Sequence, residues 1–254
     1  MPVMDEFREE RESIKQGTFK QKYQYFKDYY RTPLIITVLA ASFILLLLFK
    51  FFTNKETAFY AAMLNCSPYD NTEQAFIQEY ADAAGIDLAK SKITFDTVMY
   101  YKLDQVDETS YLTSQKLETF AGAGLLNVML GTGEEFAHFA NGIFFKDLRE
   151  VLTTAQLEAY APYLYYVDGA LIQEAIDAQS AAGTGEPEPI VPLDPRHPED
   201  MRDPIPIAIY VESSETLQST YYFKDADKGI ALGIYINSPH IDYDIAFIEY
   251  LLQH

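Results

Sequence analysis

Cysteine is almost absent from this chain, and tryptophan is entirely absent. The single cysteine among 254 residues, Cys66, excludes an intramolecular disulfide. Any exported part of the chain must therefore be held together by side-chain packing alone. Because Cys66 ends an apolar run, we expect a small buried hydrophobic residue there and not a reactive thiol. The aromatic residues are instead 20 tyrosines and 17 phenylalanines.

Residue patterns typical of catalysis and of metal binding are also missing. The four histidines are scattered, and none has a second histidine or a cysteine at a ligand spacing, so zinc binding is not expected. The sequence has no Gly-x-Ser-x-Gly motif and no cysteine–histidine arrangement suited to nucleophilic catalysis. We therefore expect no enzymatic activity, no cofactor and no metal. The histidines are His138, His197, His240 and His254.

Basic residues are scarce and unevenly placed. The chain has 19 lysines and arginines against 38 acidic residues, for a formal net charge of -19. Only 11 of those basic residues but 32 of the acidic ones follow Lys50. Such a surface repels nucleic acid at long range, so no nucleic-acid partner is expected. The acidity either keeps an exported domain soluble or favours a cationic partner.

Against this acidic background stands one long hydrophobic run, Pro33 to Phe52. As a helix it spans about 30 Å, the thickness of the hydrocarbon part of a bilayer. Seven basic residues precede it, and only Lys50 and Lys55 lie within or close behind it. The positive-inside rule therefore predicts a single-pass protein of the cell membrane with a cytoplasmic N-terminus and an extracellular C-terminal domain.

This prediction divides the chain into three segments: a basic, aromatic juxtamembrane tail at 1–32, a transmembrane helix at 33–52 and an extracytoplasmic domain at 53–254. A cleaved signal peptide fits less well, because the charged region is too long and Tyr60 occupies a position where cleavage needs a small residue. Thr18 and Gln21 form a capping box that starts a helix in the tail. This helix either lies on the inner leaflet or simply extends the spanning helix.

Beyond the hydrophobic run, apolar stretches of strand length alternate with amphipathic stretches of helix length. This order predicts an α/β domain with a mixed, partly parallel sheet flanked by helices. Two stretches, 221–223 and 231–236, are predicted to form a β-hairpin joined through Asp225 to Gly229. The residues predicted to start helices are Asn71 with Gln74, Thr113, Thr132 with Glu135, Thr153 with Gln156, and Ser238 with Pro239.

A proline-rich segment interrupts the domain at 181–206. It holds seven of the 12 prolines, with glycine and acidic residues between them. Proline cannot donate a main-chain hydrogen bond, so this composition predicts an extended surface loop and no regular element. The next strand is expected from Ile205 to Val211, with Pro206 near its start or on a sheet edge.

Two longer stretches resemble a known family. The stretch at 116–131 reads KLETFAGAGLLNVMLG. It is similar to a segment of bacterial extracellular solute-binding proteins in which a helix leads through a Gly/Ala turn into a strand. Asn127 and Val128 stand at the positions where that family has Asp-Val. FAHFANGIFFKDLREVLT at 136–153 resembles the next segment of that family. The resemblance implies the solute-binding fold, of the periplasmic-binding-protein-like type 2. It implies no substrate, because the outer domain is far shorter than a two-lobed binding protein.

The whole chain looks closest to uncharacterised membrane-anchored proteins of Gram-positive bacteria. The resemblance rests on GTFKQKYQYFKDYYRTP before the span, on DMRDPIPIAIYV at 200–211 and on INSPHIDYDIAFIEYLL at 236–252. It implies a spanning helix where solute-binding proteins have a lipid anchor.

Two groups of residues are candidates for ligand binding. The first group joins a strand end to a helix start and consists of Gly131, Thr132 and Gly133. Main-chain N–H groups at such a point can hold an anion. The alternative is a plain tight turn, because Glu134 and Glu135 would repel a phosphate bound there. The second group consists of tyrosine pairs on or beside strands, such as Tyr165 and Tyr166. Because successive side chains of a strand point to opposite faces of the sheet, one tyrosine of each pair is expected to point outward. An exposed tyrosine ring could stack on a sugar, a peptide or a protein. Asp225 and Asp227 lack the spacing of a calcium loop.

The sequence thus favours a non-enzymatic binding domain held at the outer face of a membrane, with a small solute, sugar or peptide as its ligand. The alternative is a structural or assembly factor that binds another membrane or envelope protein through its tyrosines. The lipid bilayer is a partner in both.

Overall fold

The computed structural model of the chain contains two compact units, residues 1–54 and residues 55–254. The structure describes residues 17–29, 31–53, 55–103, 107–142, 144–182 and 193–253.

The N-terminal unit consists of helices α1 (Phe19–Tyr29) and α2 (Arg31–Thr53). The predicted start of α1 is confirmed, since the Gln21 side chain accepts the main-chain N–H of Thr18 at 2.9 Å. Within α2 the hydroxyl of Thr37 donates to the carbonyl of Pro33 at 2.8 Å, so this polar group is satisfied inside the helix. The part of α2 from Arg31 to Phe49 is long and apolar enough to cross a membrane, a property that signal sequences share.

The second unit is built on a mixed sheet of six strands with the order β3–β1–β4–β8–β6–β5. β1 is parallel to β3 and β4, whereas β8 is antiparallel to β4 and β6, and β5 is antiparallel to β6. The predicted α/β class with a partly parallel sheet is therefore confirmed. The strands are β1 (Glu56–Leu64), β2 (Cys66–Pro68), β3 (Ser91–Met99), β4 (Val128–Thr132), β5 (Leu164–Asp168), β6 (Pro204–Tyr210), β7 (Tyr221–Phe223) and β8 (Ile230–Ile234).

Helices cover both faces of the sheet. α3, α6, α8 and α9 pack on one face, and α4, α5 and α7 pack on the other. The central strands are apolar at nearly every position because both of their faces are buried. The helices are α3 (Glu73–Ala84), α4 (Glu108–Gly122), α5 (Gly133–Ala140), α6 (Thr154–Tyr160), α7 (Gly169–Ala182), α8 (Glu215–Thr220) and α9 (Ile241–Gln253).

An aromatic cluster fills the space between the first face and helices α3 and α9. Phe247 of α9 lies 4.8 Å from Tyr80, 5.1 Å from Phe59 and 5.4 Å from Phe95, measured between ring centroids. The Tyr80 hydroxyl reaches the carbonyl of Tyr243 at 2.9 Å, which leaves no polar atom of that ring unsatisfied. These rings hold α3 and α9 to the parallel half of the sheet.

Some predicted helix ends are confirmed and others are wrong. Thr153 and Gln156 form the capping box of α6, and Gly85, at φ +68°, ends α3. Thr113 does not open a helix: α4 begins five residues earlier, where the Asp107 side chain accepts the N–H of Ser110. The prediction failed because residues 107–112 lack an apolar periodicity.

Three further predicted helix caps are not formed as expected, although α5 does begin directly after Thr132 as predicted. α3 follows Thr72 and not Asn71, which adopts a left-handed φ of +63°. Thr132 does not cap α5 with its side chain, and Ser238 does not cap α9. In each case a tertiary partner or an unusual backbone conformation takes the place of the local hydrogen bond.

The predicted hairpin is wrong. β7 pairs with β2 in a separate two-stranded antiparallel ribbon, whereas β8 lies in the main sheet between β4 and β6. A left-handed residue, Asp225 at φ +57°, and a short 3-10 turn from Ala226 to Lys228 separate β7 from β8. The register of the tertiary partners, and not the turn between the strands, decides the pairing.

Asn65 links the end of β1 to the segment after β3. Its buried side chain donates to the carbonyl of Tyr101 at 2.8 Å and accepts the N–H of Tyr101 at 2.9 Å. The residue adopts φ +50°, a conformation that asparagine tolerates better than most residues. Asn65-Cys66-Ser67 matches the pattern of a glycosylation sequon, and its asparagine side chain is enclosed in the fold. Cys66 beside it is buried, as predicted.

The proline-rich segment is described only at its two ends. α7 extends to Ala182, past the predicted start of the loop, and residues 183–192 lie outside the described residues. β6 starts at Pro204, where Pro206 pairs with Tyr166 of β5 beside an irregularity in the register. Only β5 borders this first part of β6, since pairing with β8 begins at Ala208.

Candidate functional site

A pocket of about 460 Å³ lies at one end of the sheet. β4 and β6 run in the same direction, and the pocket lies beyond the ends of both, next to the starts of β8 and β5. In α/β proteins this carboxyl-terminal edge of the strands is the usual position for a ligand. The lining residues are Gly133, Glu134, Phe136, Ala137, Tyr165, Leu193, Asp194, Pro195, Arg196, Tyr210, Lys228, Gly229 and Ala231.

Three buried aromatic residues line its inner part. Tyr165 lies 5.4 Å from Phe136 of α5 and 5.3 Å from Tyr210 of β6, measured between ring centroids. All three are less than 10% exposed. Because each ring packs against another, their positions are fixed by the sheet and do not depend on a ligand.

The phenol of Tyr165 has no hydrogen-bond partner among the described residues, although the residue is only 4% exposed. Burial raises its pKa, so the phenol is uncharged and can donate at neutral pH. The ring is enclosed, but the phenolic oxygen is not a buried unpaired atom, so it is accessible from the pocket. This hydroxyl is therefore available to a bound molecule.

A short segment just after the proline-rich region forms one wall. The carbonyl of Pro195 accepts the main-chain N–H of Tyr166 at 3.0 Å, which attaches the segment to the outer side of β5. The Arg196 guanidinium lies 3.5 Å above the Tyr210 ring and binds Glu212 at 2.6 Å. Burial raises the pKa of Tyr210 to about 12, and the adjacent guanidinium opposes that rise.

The amino end of α5 forms the facing wall. Gly133 has φ +54°, and a Cβ there would come within 2.9 Å of the Lys228 side chain, so only glycine fits. The hydroxyl of Thr132 donates to the carbonyl of Lys224 at 2.6 Å, and its oxygen accepts no N–H from the first turn of α5. The first turn of α5 is consequently left without a side-chain cap.

The charges around the pocket are mixed. The Lys228 ammonium is 3.8 Å from Asp225, beyond hydrogen-bond distance, and Arg196 is paired with Glu212. On the acidic side, Asp194 already accepts the main-chain N–H of Arg196 at 2.9 Å, while Glu134 is exposed.

The structure brings some of the sequence candidates together and separates others. Gly133 and Tyr165, distant in sequence, line the same pocket. Gly131 lies inside β4, where a Cβ would meet Leu64 and Phe136 at 3.3 Å, so it permits close packing of α5 on the sheet. Thr132 is buried, and Tyr166 packs against the core on the other face of the sheet. The pocket lining does not include Gly131, Thr132 or Tyr166.

Sequence reasoning missed Tyr210, Arg196 and Lys228 as pocket residues. Tyr210 lay within a predicted strand whose orientation the pattern did not specify, and Arg196 lay in a segment predicted to be a plain surface loop. Lys228 was assigned to a hairpin turn. The only signal in the sequence was the excess of tyrosine, which does not reveal which tyrosines meet.

A second polar cluster lies in the interior at the opposite end of β4. The Asn127 amide donates to the carboxylate of Asp244 at 2.8 Å and accepts the N–H of Tyr60 at 3.0 Å, and the Ser238 hydroxyl donates to Asp244 at 2.5 Å. Burial is the main cause that raises the pKa of Asp244 to about 7. Asp244 is fully buried, and the cluster links β1, the residue before β4, and α9.

Within the described part of the chain no three His, Cys, Asp or Glu side chains are grouped to hold a metal ion. Comparisons of the chain with protein-family models, with curated proteins and with solved structures found no match.

Proposed function

We propose that the chain is a membrane-anchored binding protein in which residues 55–254 form an extracytoplasmic, non-enzymatic domain that takes a small ligand into the pocket described above. The pocket is the observation that carries this proposal. Its inner residues are preorganised, the hydroxyl of its mostly buried Tyr165 is accessible and has no partner among the described residues, and the pocket lies where α/β folds usually bind ligands. The ligand belongs to the small solutes, sugars or short peptides.

The proposal includes a version of the solute-binding fold. The mixed sheet with helices on both faces is compatible with that fold, and so is the position of the pocket. The pocket, however, lies within one unit, so ligand entry does not require the closing of two lobes. The ligand is held at the strand ends, and affinity depends on the pocket walls formed by α5 and by Leu193 to Arg196.

For the anchor, we propose that α2 spans the cell membrane once with the basic tail in the cytoplasm. Proteinase K added to intact cells is expected to digest residues 55–254 and to leave an epitope tag at the N-terminus protected. Immunoblots for the tag and for the domain report both outcomes, with a cytoplasmic protein as the control for lysis. A domain that resists the protease in intact cells but is digested in opened cells would contradict the topology.

The ligand is tested with the full chain in lipid nanodiscs. Sugars, amino acids, short peptides and organic acids are screened for a rise in melting temperature measured by circular dichroism; at 100 times Kd a ligand adds about 2.7 kcal/mol of stability. One ligand class is expected to stabilise the protein. Shifts that are zero for every class would overturn the proposed function.

A pocket-filling variant shows where the ligand binds. Ala137 lies on α5 in the pocket lining, so Ala137→Trp is expected to fill the pocket and abolish the ligand-dependent shift. Ala178→Trp, on the exposed side of α7, is the matched control and should retain the shift. Equal shifts in both variants would place the ligand elsewhere.

A second candidate function, a structural or assembly factor, is favoured by the ribbon formed by β2 and β7. Tyr222 on β7 and Tyr69 just after β2 are about half exposed and lie outside the main sheet. Exposed tyrosines are common at protein interfaces because each supplies a large contact area and a hydroxyl. In that case crosslinking in intact membranes would recover another envelope protein through these residues.

A further inference from the structure

Several hydrogen-bond donors at the pocket lack acceptors, and this excess indicates the charge of the ligand. The Lys228 ammonium forms a long ion pair with Asp225 at 3.8 Å, and Lys224 lies at the same distance from Asp225, so one carboxylate faces two ammonium groups. The Lys228 stem lies along Gly133, which places its ammonium beside the first turn of α5. Within the described residues, no hydrogen bond to another group engages this ammonium.

The amino end of α5 adds further donors. The first N–H groups of a helix have no partner within the helix and carry a partial positive charge. Thr132, the residue positioned to accept one of them, uses its hydroxyl on the carbonyl of Lys224. The unpartnered hydroxyl of Tyr165, in a side chain that is more than nine-tenths buried, is an independent donor that lines the same cavity.

The acidic residues limit the charge that this site accepts. Glu134 and Glu135 lie in the first turn of α5, and Glu135 has Lys224 only at 4.0 Å. Repulsion from these two carboxylates is about twice as large for a doubly charged group as for a singly charged one, because it is proportional to the ligand charge. Asp194 is already engaged with the main chain of Arg196.

The remaining lining is apolar and aromatic. Phe136, Ala137, Leu193 and Ala231 provide carbon surface, and the Tyr165 and Tyr210 rings adjoin it. A cavity of about 460 Å³ holds a ligand of drug size or smaller. The bound molecule therefore needs an apolar body in addition to its charged group.

Building on the proposed function, we propose that the pocket binds small monocarboxylic acids with an apolar body. The carboxylate is held between the Lys228 ammonium and the first turn of α5, with the Tyr165 hydroxyl as a further donor. The apolar body lies against the aromatic inner part. Phosphate monoesters, which carry two charges, are disfavoured by Glu134 and Glu135.

The test compares matched probes by isothermal titration calorimetry with the full chain in nanodiscs of uncharged lipid. Acetate, isovalerate and phenylacetate vary the apolar body; phenylacetamide, phenethylamine and phenyl phosphate vary the charge. Phenylacetate is expected to bind at least about tenfold more tightly than phenylacetamide, since charge-assisted hydrogen bonds are about twice as strong as neutral ones. Phenethylamine and phenyl phosphate are expected to bind more weakly than phenylacetate.

Variants assign the effect to named residues. Lys228→Gln is expected to remove the preference for phenylacetate over phenylacetamide. Tyr165→Phe is expected to lower the affinity for phenylacetate severalfold. Glu134→Gln is expected to strengthen the binding of phenyl phosphate. Lys90→Gln, which changes a lysine that is 84% exposed and paired with Asp87, is the control and should leave all affinities unchanged.

The outcomes separate the two proposals. Phenylacetamide or phenethylamine binding as tightly as phenylacetate, or Lys228→Gln keeping the preference, would overturn the carboxylate proposal. If none of the three acids binds but a sugar or peptide stabilises the protein and Ala137→Trp blocks it, the binding function stands and the carboxylate class is wrong. If no compound binds, both proposals fall.

Discussion

Replacing Phe247 with alanine is expected to lower the free energy of unfolding of the second unit, residues 55–254, by about 3 to 5 kcal/mol. The side chain is fully buried and contacts the rings of Tyr80, Phe59 and Phe95. Removing it opens a cavity that three neighbouring rings cannot close, because they are held by α3, β1 and β3. Urea titration of the full chain in detergent, monitored by the circular dichroism of the tyrosines, measures the loss.

Two matched changes show that the effect comes from this cavity. Phe247→Leu keeps most of the volume and is expected to cost less than about 1.5 kcal/mol. Tyr222→Ala removes an aromatic residue of similar size from an exposed position on β7 and is expected to stay within about 0.5 kcal/mol of the unmodified protein. A loss below about 1 kcal/mol for Phe247→Ala would contradict the packing of α9 on the sheet.

Replacing Asp244 with asparagine is expected to change how stability depends on pH. Burial raises the pKa of Asp244 to about 7 in the folded protein, whereas in the unfolded chain it is about 3.9. Between these values the folded state holds a proton that the unfolded state has lost. Asp244 therefore lowers the free energy of unfolding as pH rises from about 4 to about 7, by up to about 4 kcal/mol in total.

The asparagine side chain does not titrate in this pH range, and its amide can still accept a hydrogen bond from Asn127 and donate one to Ser238. Its stability relative to the unmodified protein should therefore increase between about pH 4.5 and about pH 8. The charged neighbours Lys146 and Asp242 are unchanged in this comparison. Glu118→Gln, at an exposed position on α4, should show the same dependence of stability on pH as the unmodified protein. If the free energies of unfolding of the Asp244→Asn variant and of the unmodified protein changed in parallel with pH, the carboxyl group of Asp244 would not be buried and protonated as described.

Part of the candidate site could be predicted from the sequence. Gly133 was recognisable because a glycine between a strand and a helix indicates a backbone conformation that other residues avoid. Tyr165 was recognisable only as one of many tyrosines. Their meeting in one pocket depends on β5 and β4 being separated in the sheet by β8 and β6. No local pattern contains that order, because it results from pairings between segments far apart in the chain.

The final helix shows the same limit within a single element. From the sequence, apolar residues spaced three or four apart predict that its buried face consists of Ile241, Ile245, Ile248 and Leu252. In the structure Ile248 is buried, the other three are half-buried, and Phe247 and Leu251 are fully buried instead. The helix is amphipathic as predicted, but its rotation is set by the aromatic rings of α3 and the sheet against which it packs.

The sequence by itself determined the class of fold and most of the longer elements. A single apolar run of membrane length, strands without polar interruptions, and glycines at helix ends are each recorded in neighbouring residues, because hydrophobicity and backbone freedom act locally. Three features depend on the tertiary structure alone. β7 pairs with β2 and not with β8. Ser238 and Asn127 form hydrogen bonds with the buried Asp244 carboxyl, and the Arg196 guanidinium lies over the Tyr210 ring at the pocket. These contacts join residues from separate segments, and their energies exist only once the sheet has brought those segments together.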